Sequence, residues 1–129
     1  MRDLISNNSP FERSIGFSRA VRVGSRVEVS GTAPIADDGS PFAPDDLAAQ
    51  TRRCLDIALD AAARAGASKA DVIRTRVMLT DISRWEEAAA AHGEVFADVR
   101  PASTFVEVSG LIDPAWLVEI EVECEIEAR

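Results

Sequence analysis

Apolar and acidic residues alternate without a break near the end of the chain: Val118, Ile120, Val122, Cys124 and Ile126 are separated by Glu119, Glu121, Glu123 and Glu125, and Glu127 closes the run. A β-strand sends successive side chains to opposite faces, so this period of two predicts a strand over residues 117–127 with one core face and one carboxylate face. At a rise of about 3.3 Å per residue, glutamates two apart stand roughly 7 Å from each other, close enough to repel unless cations or water intervene. The same period recurs upstream. Residues 17–30 read as two β-rich runs around Gly24-Ser25, a hairpin. Residues 72–80 place Ile73, Thr75, Val77 and Leu79 on one face and Arg74, Arg76 and Met78 on the other. Thr104, Val106 and Val108 alternate with Phe105 and Glu107 in a further strand.

Between the strands the period lengthens. Leu47, Thr51, Cys54 or Leu55, Ala58, Ala62 and Ala65 recur at helical spacing, with Pro44 at or near the first helical position, Asp45 and Asp46 at the positive end of the dipole, and Gly66 as the stop. Ser68 with Asp71 makes a second, shorter cap. Ser83 with Glu86 reads as a capping box ahead of Trp85, Ala88, Ala89, His92, Val95 and Phe96, the apolar stripe of a second helix that ends before Arg100-Pro101. Residues 1–10 hold the breaker cluster Asn7, Asn8, Ser9 and Pro10 and read as a loose lead-in. The order is β-β-α-β-α-β-β. Its simplest solution is an α+β fold, a single mixed β-sheet covered on one face by two helices. The uncovered face then carries Glu119, Glu121 and Glu123 with Arg74 and Arg76, a composition that suits a subunit interface as well as solvent.

Composition narrows the setting. A chain of 129 residues, 47% hydrophobic and 28% charged, fits one globular domain over residues 1–129 and argues against disorder. The formal net charge of -8 disfavours nucleic acid and anionic membrane as partners, since both recruit excess Lys and Arg. Thirteen arginines stand against the single Lys69, which points to fixed ion pairs or anion recognition. Cys54 falls in a helix and Cys124 on a core face, so both read as buried reduced thiols. No signal peptide and no apolar run of about 18 residues is evident, so the expected location is cytoplasmic. No metal cluster, phosphate loop or dinucleotide fingerprint is present, and no cofactor is expected.

Several pieces recur together in a known family: Gly24, Val29-Ser30-Gly31, Pro34, Gln50-Thr51, Ala65-Gly66, Asp71-Val72, Leu79-Thr80-Asp81, Phe96, Pro101-Ala102 and Val118-Glu119-Ile120-Glu121. In their order and spacing the chain resembles the RidA (YjgF) family along essentially its whole length. The resemblance implies a chorismate-mutase-like fold and a homotrimer with three ligand clefts between subunits. It also implies hydrolysis of reactive enamines and imines, such as 2-aminoacrylate, to the 2-oxo acid and ammonia. The family site, so implied, comprises an arginine for the substrate carboxylate, a glutamate that maps onto Glu119, and main-chain groups that map onto Ser30-Gly31. The arginine does not map, because Pro101-Ala102 is followed by Ser103. The aromatic near the first strand, often tyrosine, is Phe17, and an asparagine often found in the second helix aligns with Ala89. Loss of a bidentate clamp removes about 1.5–3 kcal/mol of contact, so the standard deaminase activity does not simply carry over.

Each candidate has a plain alternative. Glu119 is the catalytic candidate, or else one more glutamate paired with an interface arginine. Phe17, Ser30, Gly31, Ser103, Thr104 and His92 are substrate-binding candidates. Ser103 has no base beside it in the sequence and otherwise reads as a plain strand serine. His92 is an acid-base group or a packing residue beside Ala88 and Phe96. Arg74 and Arg76 replace the missing clamp or hold structural ion pairs, and Phe105 and Trp116 line a cleft or join the core. The expected function is a small-molecule hydrolase acting on C=N bonds. The alternative is a non-catalytic trimer that binds small molecules or protects other proteins. RNA cleavage, sometimes attached to the family by name, fits poorly with the acidic charge.

Overall fold

The computed structural model describes residues 2–127. Its elements are β1 (Arg2–Ile5), β2 (Ala20–Val23), β3 (Arg26–Thr32), α1 (Leu47–Arg64), β4 (Val72–Leu79), α2 (Trp85–Phe96), β5 (Ala102–Glu107) and β6 (Val118–Glu125). The strands form one mixed sheet in the order β1-β2-β3-β6-β4-β5, in which β4 and β5 are parallel and the other pairs antiparallel. The last strand is thus inserted at the centre. Both β3 and β4 run antiparallel to β6, so β3-α1-β4 and β4-α2-β5 are parallel crossovers progressing in one direction. Right-handed crossovers of that kind deposit both helices on the same face.

That face holds the core. Val118, Ile120, Val122 and Cys124 of β6 are fully buried, as the alternation requires, against Leu55, Ala58 and Ala62 of α1 and beside Val27, Val77 and Leu79. Alanines along α1 let the helix lie close to the sheet. Asp46 caps it, its carboxylate accepting from Ala49 N at 3.0 Å, and Gly66 at φ +99° follows its end. Gln50 is buried and ties α1 to the approach of β6: its Nε2 donates to Ala115 O at 3.0 Å and its Oε1 accepts from Leu117 N at 2.8 Å. Cys54 and Cys124 are free and buried.

Several local expectations change. The lead-in is not loose, because Arg2–Ile5 pairs antiparallel with β2 and raises the strand count from five to six. Four residues are too few to show a period, and the strand forms because the edge of β2 offers unpaired backbone groups. A π-helical turn follows at Glu12–Gly16, and the Glu12 carboxylate accepts from Asn7 N at 2.9 Å, closing the breaker cluster into a turn. Pro44 lies upstream of α1, which starts at Leu47. The Ser83–Glu86 box does not form. Asp81 takes the Ser83 N–H instead, capping a short 3-10 turn (Ile82–Arg84), and α2 begins at Trp85, which is 48% exposed rather than on the apolar stripe. Ile73 is 43% exposed because the register with β6 shifts between Val72 and Arg74, turning it outward.

The uncovered face shows how the carboxylate row is answered. Arg76 holds Glu121 at 2.6 Å, and Glu123 is held by Arg26 at 3.1 Å and Arg74 at 3.4 Å. Glu125 closes β6 and accepts from the Ser25 hydroxyl. Glu127 lies beyond the strand. These ion pairs are largely exposed and screened by solvent, so each adds little to stability. Their effect is to cancel repulsion along the row.

Candidate functional site

Within β6, Glu119 alone among the glutamates receives no ion pair or hydrogen bond from another described residue. Its position follows from the strand: Val118 and Ile120 point into the core, so Glu119 projects from the uncovered face, opposite Met78 of β4. Next to it the pairing of β3 with β6 shifts between Val29 and Thr32, which brings the backbone at Gly31 under the carboxylate. A Cβ at Gly31 would stand 2.7 Å from Glu119 Oε2, so the bare backbone is what leaves room for the acid. Ser30 is folded inward, its hydroxyl donating to Ser18 O at 2.6 Å.

An arginine completes this group, and it is neither Arg74 nor Arg76, which hold the structural ion pairs offered as their other reading. Arg19 donates from Nη2 to Gly31 O at 2.5 Å and lies over the Phe17 ring, 5.7 Å from its centroid. Its Nε is buried without a hydrogen-bond partner. Burial shifts both charges toward neutrality: it raises the pKa of Glu119 above the usual carboxylate value, an effect that the field of Arg19 opposes and Glu121 reinforces. Burial likewise lowers Arg19, against the pull of Glu119 and Glu12. Arg74 and Arg76 are committed to Glu123 and Glu121. Sequence reasoning missed Arg19, which precedes β2 and meets Phe17 through the bend that leads into that strand.

A second group stands at the β5 edge. Thr75, fully buried on β4, has its Oγ1 2.8 Å from His92 Nε2 on α2 and 2.7 Å from Ser103 Oγ on β5. His92 packs 4.8 Å from the Phe96 ring and edge-on to Phe105 at 5.6 Å, and burial holds its pKa below the usual imidazole value. Ser103 therefore does have a base within reach, through a threonine. Linear reading could not show it because residues 75, 92 and 103 come from three elements; its only trace is one threonine in the inward set of β4. Thr104 points the other way, in register with Arg76, and Trp116 lies half-buried before β6.

The two groups do not join within one chain. Thr75 and Ser103 belong to the helix-covered face and Glu119 to the open face, so the candidates fall into two half-sites: Glu119, Gly31, Ser30, Phe17 and Arg19 on one side, Ser103, Thr75 and His92 on the other. Phe17 and Ser30 also line an open groove of about 710 Å³ beside β1. Among the described residues no three His, Cys, Asp or Glu gather to hold a metal, and no helix is long and apolar enough to cross a membrane.

The profile of the family described as Endoribonuclease L-PSP matches residues 8–126. The chain belongs to the YjgF (RidA) family. Within the family it is 33% identical to the 3-aminoacrylate deaminase RutC of Acinetobacter baylyi over 78% of this chain and 79% of that one. It is 40% identical to an uncharacterized protein of Streptomyces coelicolor over 92% and 88% of the two chains. A crystal structure from Mycobacterium tuberculosis, described as a member of the YjgF/YER057c/UK114 family, superposes with a TM-score of 0.89 at 44% identity, covering 98% of this chain and all of the other. The six-stranded sheet and two helices are therefore the YjgF/RidA fold.

Proposed function

We propose that the protein hydrolyses a small imine or enamine in clefts formed between copies of the chain in a homotrimer, with Glu119 as the catalytic acid-base group and no metal or cofactor. The observation that carries this reading is the solitary state of Glu119. Every other glutamate of β6 is bonded to a neighbouring side chain, whereas Glu119 is half-buried, unpaired and poised over open backbone at Gly31. A carboxylate kept free at the cost of desolvation is suited to proton transfer. In the reaction, Glu119 accepts a hydrogen bond from water and takes its proton as the oxygen attacks the C=N carbon. The same carboxyl returns that proton to the nitrogen to give the carbinolamine, then carries the hydroxyl proton to the nitrogen as well, so that the C–O bond becomes a carbonyl and the C–N bond breaks to release ammonia. Arg19 balances the carboxylate charge and orders the Gly31 carbonyl, and Phe17 and Ser30 shape the wall.

The intersubunit arrangement is supported by the division of the candidates between two faces of the sheet. A neighbouring copy would bring its Ser103 edge against the Glu119 face of this one, and Thr104 and His92 would border that edge. The deaminase-named relative supports the reaction class. Ser103 in place of the clamp arginine indicates a substrate less dependent on a carboxylate than 2-aminoacrylate. Two buried free thiols fit a cytoplasmic setting, and the acidic open face does not suit RNA. Ammonia release from enzymatically generated iminopyruvate, and from uncharged enamines, tests the reading. Glu119→Gln is expected to lower kcat by about 10²–10⁴-fold; unchanged turnover would refute the assignment. A stable monomer in solution would refute the cleft.

A further inference from the structure

The Thr75 row is not used as a set by the hydrolysis just described. Its middle hydroxyl is buried while Ser103 is exposed, and Thr75 has one proton to share between two neighbours. The row therefore has two polarities. With a proton on His92 Nε2, His92 donates to Thr75, Thr75 donates to Ser103, and Ser103 offers its own proton outward. With Nε2 bare, Ser103 donates to Thr75, Thr75 donates to His92, and Ser103 offers a lone pair outward. Passing from the second arrangement to the first takes in one proton at Ser103 and lodges it on His92, 2.8 Å beyond the threonine oxygen.

We propose that Ser103, Thr75 and His92 form a proton relay that removes an N–H proton from an uncharged enamine seated against Ser103. This deepens the hydrolase reading and rests on it for the substrate class. Burial favours the neutral ring, and the relay requires its Nδ1–H tautomer, which leaves Nε2 bare to accept from Thr75. Several charges on the packed elements are engaged elsewhere. Arg74 and Arg76 of β4 pair with Glu123 and Glu121, Glu107 of β5 accepts from Ile82 N, and Arg52 of α1 pairs with Glu94 of α2. A neutral serine where the family carries a cation offers an amine donor an acceptor and offers a carboxylate no charge.

The step balances as an enamine-to-imine conversion. The N–H bond breaks and its electron pair becomes the C=N π bond. The C=C pair takes a proton from the carboxyl of Glu119 on the facing wall, and the nitrogen's proton passes through Ser103 and Thr75 to leave His92 as imidazolium. When water adds to the C=N carbon, Glu119 takes its proton and the relay returns the stored proton to the same nitrogen. Both groups are then reset.

Two measurements on the full chain test this. His92 is the only histidine, so its ring nitrogens are an unambiguous NMR reporter. The proton is expected on Nδ1 at neutral pH. Turnover of methyl 3-aminocrotonate, an uncharged enamine, is followed by ammonia release. Thr75→Val and Ser103→Ala are expected to lower kcat about 100-fold, Thr75→Ser to restore most of it, and His92→Gln to abolish the acid limb of the kcat/KM profile. Wild-type turnover in a folded Thr75→Val variant, a resting proton on Nε2, or no turnover of this enamine by the wild type would each overturn the relay. The two readings fail separately. Iminopyruvate already has its C=N bond, so loss of its hydrolysis in Glu119→Gln together with wild-type turnover of the enamine by Thr75→Val removes the relay alone. An indifferent Glu119→Gln removes the acid-base role of Glu119.

Discussion

Gly31→Ala separates packing from chemistry at the proposed site. The backbone at Gly31 does not lie in the left-handed region, so an L side chain fits its conformation, and a Cβ there would meet only Glu119: Oε2 at 2.7 Å, Cδ at 3.2 Å and Cγ at 3.6 Å. The closest approach is about 0.7 Å short of the 3.4 Å at which ordinary contact begins. The obstruction is the far end of a flexible side chain, so the carboxylate swings aside instead of the sheet distorting, and the fold loses about 1 kcal/mol or less. Chemistry is less forgiving, because a misplacement approaching 1 Å costs on the order of 100-fold in rate. Gly31→Ala is therefore expected to unfold thermally within a few degrees of wild type while ammonia release falls by about 10–100-fold. The assay is kcat for iminopyruvate or an uncharged enamine beside a thermal melt. Full activity in the folded variant would refute the placement of the reacting centre at the Glu119 carboxylate. A chain that fails to fold would refute the statement that only Glu119 must move.

Two further outcomes follow from the core. Gln50→Ala strips the buried link between α1 and the approach to β6, leaving Leu117 N and Ala115 O without partners, and is expected to cost about 2–3 kcal/mol in denaturant unfolding; a loss below about 0.5 kcal/mol would show that the loop is held otherwise. Burial pushes the Cys124 thiol up to about 11 and raises Cys54 further. The thiolate is the reactive form, so neither thiol should react with an aromatic disulfide reagent at neutral pH unless the chain is unfolded, and rapid titration of the native protein would contradict their burial.

Periodicity located what packing decides. The run from Val118 to Cys124 and the alanine stripe of α1 are each buried on one face, and any chain that buries them must place Glu119 opposite. What was not legible depends on partners distant in sequence. β1 is too short to carry a period and exists because β2 has a free edge. Ile73 turned outward because a register shift absorbs one residue. The Ser83 cap lost to Asp81, which sits two residues earlier and reaches the same N–H. The resemblance pointed to Glu119 and Ser30-Gly31, and the structure sets Gly31 beside that carboxylate, whereas the contacts of Arg19 and the Ser103–Thr75–His92 row could not be read along the chain. Those contacts join residues 12, 17 and 28 positions apart across separate elements.

The carboxylate row of β6 now has a physical division of labour. Glu121 and Glu123 receive arginines across the sheet, and Glu125 receives a serine at the strand end. Those bonds let a row of like charges share one strand, and they consume Arg74 and Arg76. Arg76 could turn to a ligand only by giving up Glu121, whereas Glu123 would keep Arg26 if Arg74 turned away. Arg19, the remaining cation beside Glu119, is fixed to the Gly31 carbonyl and stacked over Phe17. In the proposed intersubunit cleft, the wall facing Glu119 would be a neutral serine backed by a histidine that burial keeps neutral. A wall of that kind recognises an uncharged donor better than a carboxylate, which is why the choice between a charged and an uncharged enamine is the most discriminating experiment for this chain.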